Sequence, residues 1–252
     1  MSTFLSGLIL LFVYLSCMVA LVQWHGDTSI ANFTWGGGVM LVALYTFLTT
    51  ALFFPRHILV TIMTLLWAAR LIAYVYARYD GRDPRFATWK WQGAKALVIN
   101  MCWIFGQFIM IAVMSYPIVL VNTSTVQGLG GLDYLGMIIW ILGFCCESLS
   151  DYQLFIFRRN PANAGRVMRY GLWKYSRHPN YFGEVLMWWG IYCIALCVPY
   201  GWTAIIAPVT ITYLLVCVTG VPWIEKTFEN NVEYQEYKRK TSMFVPWLPK
   251  KS

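Results

Sequence analysis

Charged side chains are scarce in this chain. Only 12% of its 252 residues are Asp, Glu, Lys or Arg, whereas 59% are hydrophobic. These proportions exclude an ordinary soluble domain, in which about a quarter of the residues are charged, and they indicate a polytopic membrane protein. The formal net charge of +8 does not indicate a nucleic-acid partner, because the basic residues cluster in short segments between hydrophobic runs.

Histidine is rare as well, and no metal-ligand spacing is present. The three histidines are far apart, and all seven cysteines lie within hydrophobic runs, where they behave as small apolar residues. No phosphate-loop lysine follows the glycine run at residues 36–38, so we expect these glycines to serve close helix packing. The sequence therefore predicts neither a metal site nor a phosphate loop.

Hydrophobic runs long enough to cross a bilayer of about 30 Å occur seven times. They are Phe4 to Trp24, Trp35 to Phe54, Ile58 to Tyr76, Ala96 to Val121, Leu132 to Phe157, Tyr181 to Val198 and Trp202 to Trp223. We predict an all-α fold in which seven transmembrane helices form a single domain over residues 1–252. Residues 1–130 are expected to face the substrate, and residues 131–252 to bind a cofactor. The first run has no Lys or Arg before it, so we expect a retained helix rather than a signal peptide.

The basic residues predict the orientation in the membrane. Seventeen of the nineteen Lys and Arg residues fall in segments 77–95, 158–177 and 225–252. With seven helices these segments share one side, so the positive-inside rule predicts a cytoplasmic C-terminus. The membrane is expected to be the endoplasmic reticulum or a bacterial inner membrane. The expected partners are membrane lipid and a hydrophobic small-molecule substrate.

The stretch 171–184 packs cationic, aromatic and carboxylate side chains together just before a hydrophobic run. Pro179 is tolerated in a first helical turn, so we expect a helix to begin there. The free N–H groups at this helix start, beside Arg177 and His178, suit a phosphate or a carboxylate. In the alternative interpretation, Arg177 and His178 only hold the helix end at headgroup level.

Carboxylates inside predicted membrane helices are by default functional residues. Asn180 and Glu184 share one helix face with Gly183 between them, which leaves a notch for a cofactor. Glu147 and Asp151 are four residues apart and share a face of the preceding helix. Because buried carboxylates need cationic partners, we expect arginines beside them. The available ones are Arg70, Arg158 and Arg166.

Arginine and tyrosine supply the complementary groups. Arg70 lies deep in the third helix and is followed one turn later by Tyr74, so Arg70 either pairs with a neighbouring acid or lines a cavity. The loop 158–169 contains four arginines, whose guanidinium groups suit bidentate phosphate binding. Glu225 is expected to join the polar cluster at the membrane boundary. A solvated face is expected for Glu229, Glu233 and Glu236.

The C-terminal half combines several of these motifs. They are Glu147, Asp151, Arg158, Arg166, Gly171-Leu-Trp, Tyr175, Arg177-His-Pro-Asn180, Gly183-Glu184 and the segment from Tyr237 to Pro246. The combination resembles the steroid 5-alpha-reductase-like superfamily, closest to its microbial and lower-eukaryotic branch. The resemblance implies a membrane enzyme that binds NADPH from the cytosolic side. Such an enzyme reduces a carbon–carbon double bond conjugated to a carbonyl in a steroid-, sterol- or lipid-like substrate.

The resemblance also implies roles for individual residues. By position, Asp151, Arg158, Arg166, Asn180 and Glu184 match residues that hold the dinucleotide in the steroid reductases, and Arg70 falls at a cavity position. The other expected cofactor-binding residues are Tyr175, Arg177, His178, Tyr181 and Glu225. The expected catalytic residues are Tyr74 and Tyr45, as the best available acids, and Glu147, at a cavity position. The second helix has no carboxylate, and Trp67 stands where steroid reductases carry a tyrosine that holds the ketone. These departures argue against a steroid itself as the substrate.

Two other functions are open from the sequence. The motif Arg177-His-Pro, followed by Gly183-Glu184 and a terminal Tyr234-x-x-Tyr237, is shared with isoprenylcysteine and phospholipid methyltransferases, which bind S-adenosylmethionine. The chain would then methylate a lipid or a prenylated substrate. The arginine-rich loop 158–169 favours the reductase, because a methyl donor without phosphates does not need it. The third function is that of a lipid-binding or scaffold protein, whose intramembrane charges pair only with one another.

Overall fold

The computed structural model describes residues 2–25, 31–78 and 94–250. The chain forms two compact units, Met1–Asp133 with Ile194–Ala207 and Tyr134–Cys193 with Pro208–Ser252. Over the described residues both units are helical, apart from one isolated parallel bridge in the second unit. The predicted all-α class is therefore confirmed. Most of the basic segment 77–95 lies outside the described residues.

Nine α-helices make up most of the described chain. They are α1 (Ser2–His25), α2 (Ala31–Thr50), α3 (Pro55–Ala77), α4 (Ala94–Asn122), α5 (Gly131–Arg159), α6 (Pro179–Ala195), α7 (Ile206–Tyr213), α8 (Val221–Thr227) and α9 (Val232–Lys240). Short 3₁₀ segments occur at Pro161–Asn163, Gly171–Lys174 and Gly201–Ile205, and a π-helical segment at Leu214–Val218. Proline lies in the first turn of α3, α6 and α8, where its missing N–H leaves no hydrogen bond unmade.

Six stretches of the described chain are long and apolar enough to cross a membrane, as expected of an integral membrane protein. They are Thr3–Leu21, Phe33–Thr50, Pro55–Ala77, Met101–Asn122, Gly131–Arg159 and Gly201–Thr227. The seven predicted crossings are therefore not confirmed. The difference lies at α6, which has 17 residues. At 1.5 Å per residue α6 is about 26 Å long, shorter than the hydrocarbon thickness of about 30 Å.

In the first unit, the glycine run at residues 36–38 of α2 allows neighbouring helices to approach closely. A Cβ atom on Gly38 would lie 2.8 Å from the side chain of Ile111 on α4. A Cβ atom on Gly37 would overlap the hydroxyl group of Tyr14 on α1. The prediction that these glycines serve helix packing is confirmed.

A buried ion pair ties α3 to the first turn of α5 in the same unit. Arg56 Nε and Nη2 donate to the two carboxylate oxygens of Asp133 at 2.8 and 2.9 Å, and the two side chains are 4% and 0% exposed. Asp133 also accepts from the Gly130 N–H at 2.7 Å, and Arg56 donates to the Val126 carbonyl at 3.1 Å. These extra hydrogen bonds offset the cost of removing both charges from water.

Candidate functional site

Two pairs of glycines join α5 and α6 in the second unit. A Cβ atom on Gly183 of α6 would lie 2.6 Å from the carbonyl oxygen of Gly143 and 2.6 Å from the backbone nitrogen of Glu147. A Cβ atom on Gly190 would likewise lie 2.6 Å from the carbonyl oxygen of Gly136. Only glycine permits backbones to approach so closely. This glycine seam therefore fixes the relative position of the two helices that carry the predicted site.

The predicted acidic residues of α5 and α6 are buried. Glu147, Asp151 and Glu184 are 6%, 4% and 8% exposed. Glu184 Oε1 accepts a hydrogen bond at 2.9 Å from the indole N–H of Trp188, one turn further along α6. Trp188 was not among the predicted site residues, although its spacing of four from Glu184 places it on the same helix face.

Asn180 links the two helices and has one unused acceptor. Its Nδ2 donates to Asp151 Oδ1 at 3.2 Å. Its Oδ1 is buried and has no hydrogen-bond partner among the residues that the structure describes. Leaving a buried acceptor unsatisfied costs about 1–3 kcal/mol. This oxygen therefore fits a ligand hydroxyl or amide group as its donor.

The segment before α6 is held by α5. The Trp173 indole N–H donates to the Ser150 carbonyl at 3.0 Å, and the Leu172 N–H donates to Gln153 Oε1 at 3.0 Å. Gly171 has a φ of +59°, in the left-handed region that favours glycine. The Gly171-Leu-Trp motif therefore directs the chain from α5 into α6.

Arg177 is committed to contacts within the protein. Its Nε donates to Glu225 Oε1 at 2.9 Å, and its Nη2 lies 2.7 Å from the same oxygen. Its Nη1 donates to the carbonyls of Lys238 and Thr241, each at 2.9 Å. These contacts occupy four of the five N–H groups of a guanidinium. They show Arg177 in a structural role, and its predicted role in anion binding stays a prediction.

Residues 241–250 form a C-terminal strap along the segment that precedes α6. The Arg177 N–H donates to the Ser242 carbonyl at 2.9 Å, and the Trp247 N–H donates to the Tyr175 carbonyl at 2.9 Å. Tyr175, a predicted cofactor residue, therefore contacts the strap through its backbone. The sequence contains no local signal for the strap, because its partners lie more than sixty residues earlier.

His178 is buried and neutral. Its ring is 2% exposed and stacks on Tyr181 with ring centroids 5.6 Å apart. Burial lowers the pKa of His178 to about 4, although the Glu225 carboxylate, 3.6 Å from Nε2, opposes this shift. His178 therefore contributes no positive charge to the predicted anion site at neutral pH.

This histidine is expected to destabilise the protein in mild acid. An unfolded chain binds a proton at His178 with an ordinary pKa of about 6.5, whereas the folded protein does so only near pH 4. Between these values the unfolded state binds more protons, so the free energy of unfolding falls by up to about 1.4 kcal/mol per pH unit as the pH drops. We expect the melting temperature to fall between pH 7 and pH 5, and to fall less in His178→Gln. Parallel pH profiles of the two proteins would contradict this assignment.

A cleft of about 350 Å³ lies between α9 and the loop after α5 in the second unit. It is lined by Phe157, Asn163, Arg166, Val167, Arg169, Tyr170 and Glu233. Guanidinium groups beside aromatic rings suit a phosphate attached to a nucleoside. Arg158 is exposed and does not line the cleft. The guanidinium of Arg159 instead packs 4.3 Å from the ring centroid of Phe155.

Glu233 lines this cleft, which corrects the expectation that it belongs to a solvated face. Its Oε2 accepts from the Val167 N–H at 3.2 Å, and its Oε1 lies 3.8 Å from Arg169 Nε. Glu236, one turn further along α9, is 51% exposed and pairs with Lys240 at 2.9 Å. Glu229 is exposed as well, so Glu229 and Glu236 both behave as residues of a solvated face.

The predicted site residues of the second and third helices belong to the first unit. Tyr45 on α2 donates to Ser6 Oγ at 2.7 Å. The hydroxyl group of Tyr74 on α3 accepts from Arg78 Nη1 at 3.4 Å, and the Arg78 guanidinium lies 5.1 Å from the Tyr74 ring centroid. Arg70 is half-buried one turn before Tyr74. Their roles in catalysis and cofactor binding stay predictions.

Comparison with known proteins places the chain among relatives whose function is not described. A model of the family described as protein of unknown function (DUF1295) matches residues 18–241. An uncharacterized protein of Schizosaccharomyces pombe, C594.04c, is 23% identical over 223 residues, which cover 75% of this chain and 63% of that protein. The chain thus spans less than two thirds of the length of this relative. No solved structure matches the chain.

Proposed function

The chain belongs to the DUF1295 family, and on that premise we propose that it is a membrane-embedded NADPH-dependent reductase. Its substrate is a hydrophobic, steroid- or lipid-like molecule with a carbon–carbon double bond conjugated to a carbonyl. The observation that carries the proposal is the arginine-lined cleft of about 350 Å³. Dinucleotide phosphates need such guanidinium groups, whereas S-adenosylmethionine, the cofactor of the alternative methyltransferase, has no phosphate.

The second unit contains residues suited to such a cofactor. Arg166 and Arg169 bind phosphate in the cleft. The buried Oδ1 of Asn180 accepts a hydrogen bond from a ribose hydroxyl or from the carboxamide, and Asp151 orients Asn180 through their 3.2 Å hydrogen bond. Glu184 supplies a further buried carboxylate. When bound, NADPH supplies the hydride that adds to the carbon β to the carbonyl.

Protonation of the α carbon completes the reduction. We propose Tyr74 as the proton donor, with Tyr45 as the alternative, and the catalytic role of Glu147 stays a prediction. The Arg78 guanidinium beside the Tyr74 hydroxyl stabilises the phenolate that remains after proton transfer. Tyr45 instead has a neutral partner, Ser6, which offers no positive charge to a phenolate.

We further propose that α6 is the seventh membrane crossing, despite its 17 residues. Short hydrophobic helices are accommodated by local thinning of the bilayer. With seven crossings, the basic segments 158–177 and 225–252 lie together on the cytoplasmic side. The cleft and the C-terminal strap then face the compartment that contains the nucleotide.

Equilibrium titration of the purified protein tests the reductase proposal. We expect NADPH to bind with a dissociation constant in the range of roughly 1 µM to 1 mM that is common for enzyme substrates, and to raise the melting temperature. S-adenosylhomocysteine is the comparison ligand. A thermal shift with S-adenosylhomocysteine, and none with NADPH or NADH, would replace the reductase by the methyltransferase.

Arg166→Lys is expected to weaken NADPH binding roughly tenfold to a hundredfold and to leave NADH binding nearly unchanged. The planar guanidinium binds a 2′-phosphate bidentately, whereas lysine offers only a point charge. Arg159→Lys is the matched control, because Arg159 packs on Phe155 outside the cleft. Both affinities are measured by titration of correctly inserted protein.

The pattern of losses separates the alternatives for this loop. Weaker binding of both NADPH and NADH in Arg166→Lys places Arg166 on the pyrophosphate. Unchanged binding of both would return the loop to a topological role, because the positive-inside rule counts charge and ignores shape.

A further inference from the structure

Glu233 occupies an anion-binding position inside the cleft. Its carboxylate accepts from the backbone N–H of Val167 at 3.2 Å and lies 3.8 Å from Arg169 Nε. A backbone N–H and a guanidinium are the donors that phosphate groups use in proteins. A phosphate that enters the cleft therefore meets a carboxylate that already uses these donors.

The charged side chains that line the cleft leave one net positive charge. Arg166 and Arg169 contribute two positive charges, and Glu233 contributes one negative charge. Arg169 is the cation beside Glu233. Within the part of the chain that the structure describes, Arg166 has no ion-pair partner. A phosphomonoester brings about 1.5 to 2 negative charges at pH 7, so it exceeds the single uncompensated positive charge.

We infer that Glu233 is a specificity-determining residue, which disfavours a ribose 2′-phosphate in this cleft and favours a 2′-hydroxyl. The carboxylate repels the phosphate, whereas it is a good acceptor for a ribose hydroxyl. The inference rests on the proposed nucleotide-binding function and refines it. Arg166 attracts the 2′-phosphate, and Glu233 limits the resulting preference for NADPH over NADH.

Glu233→Gln tests the inference with the full chain in detergent or nanodiscs. Glutamine keeps an acceptor for the Val167 N–H and removes the negative charge. The probes are adenosine 2′,5′-bisphosphate and adenosine 5′-monophosphate, which differ only in the 2′-phosphate. By calorimetry we expect the variant to bind the bisphosphate roughly tenfold more tightly, and the monophosphate within about twofold of the original protein. The ratio of NADPH to NADH affinity rises by the same factor.

Two control variants separate this effect from other causes. Glu236→Gln removes the same charge from the same helix, but Glu236 is 51% exposed and pairs with Lys240. Glu233→Asp shortens the side chain and keeps its charge, so it tests for altered packing. We expect neither control to bind the bisphosphate more tightly.

The outcomes for the inference and for the reductase proposal are distinct. An equal gain in Glu236→Gln, an unchanged bisphosphate affinity in Glu233→Gln, or no bisphosphate binding to either protein overturns the inference. NADPH binding with an unchanged bisphosphate affinity in Glu233→Gln leaves the reductase proposal intact. The expected gain for the bisphosphate without binding of NADPH or NADH supports the role of Glu233 and overturns the reductase.

Discussion

Gly183→Ala is expected to destabilise the protein by about 3 kcal/mol, at the upper end of the usual cost of overpacking. The added Cβ atom would lie 2.6 Å from the carbonyl oxygen of Gly143 and from the backbone nitrogen of Glu147. Both atoms belong to the backbone of α5, so they cannot move aside as a flexible side chain can. The helices must separate, and the hydrogen bond between Asn180 and Asp151 is then lost. We therefore also expect weaker nucleotide binding.

Gly106→Ala is the matched control for this substitution. Gly106 lies inside α4, and a Cβ atom there would meet nothing within 4 Å. Alanine is favoured over glycine in a helix by roughly 0.5–1 kcal/mol, so this variant is expected to be as stable as the original protein or more so. Melting temperatures and NADPH titrations of both variants give the comparison. Similar stability of Gly183→Ala and Gly106→Ala would show that the glycine seam is not required.

Asp133→Ala is expected to destabilise the protein by about 3–5 kcal/mol, because it leaves the buried Arg56 charge without its counter-ion. The Arg56 side chain is 4% exposed, so water cannot replace the carboxylate. Unfolding in mixed detergent measures the loss. The double variant Arg56→Met with Asp133→Leu removes both charges and is expected to recover most of the stability.

The double variant also tests whether the interaction between Arg56 and Asp133 itself contributes to stability. If the losses of the single variants Arg56→Met and Asp133→Leu simply add in the double variant, the ion pair makes no specific contribution. A single variant Asp133→Ala that unfolds like the original protein would contradict the burial of this pair.

Local features of the site could be predicted from the sequence. The predicted helix start at Pro179 is confirmed, since α6 begins there. The notch at Gly183 follows from helical spacing alone, and so does the shared face of Asn180 and Glu184. These features depend on residues within two helical turns, where geometry follows from spacing.

Contacts between distant segments could not be predicted in this way. Glu233 and the Val167 N–H are 66 residues apart, and no periodic pattern relates them. The positive charge of Arg177 beside a helix start indicated an anion site. Its donors are instead used by the carboxylate of Glu225, 48 residues later, and by the carbonyls of Lys238 and Thr241, 61 and 64 residues later. The charge of an arginine is evident from the sequence. Which acceptors its N–H groups contact depends on the tertiary structure.

Hydropathy also failed to define helix length and type. The run from Trp202 to Trp223 predicts one continuous helix, whereas the structure has a 3₁₀ segment, α7, a π-helical segment and the start of α8. Composition determines whether a segment is apolar, but not which backbone hydrogen bonds it makes. For the same reason the run from Tyr181 to Val198 overestimates α6, which ends at Ala195.

The dependence of Arg177 on the C-terminal strap delays completion of the site during biosynthesis. Arg177 and Thr241 are 64 residues apart, and at translation rates of about 5–20 residues per second this interval takes roughly 3–13 s. During these seconds α5 is already synthesised and α6 is being completed, but Arg177 lacks first its counter-ion Glu225 and, until the end, the Thr241 carbonyl of the strap. The nascent chain therefore carries an unneutralised cation at the membrane boundary. This interval is the one in which quality-control proteases can distinguish unfinished from finished molecules.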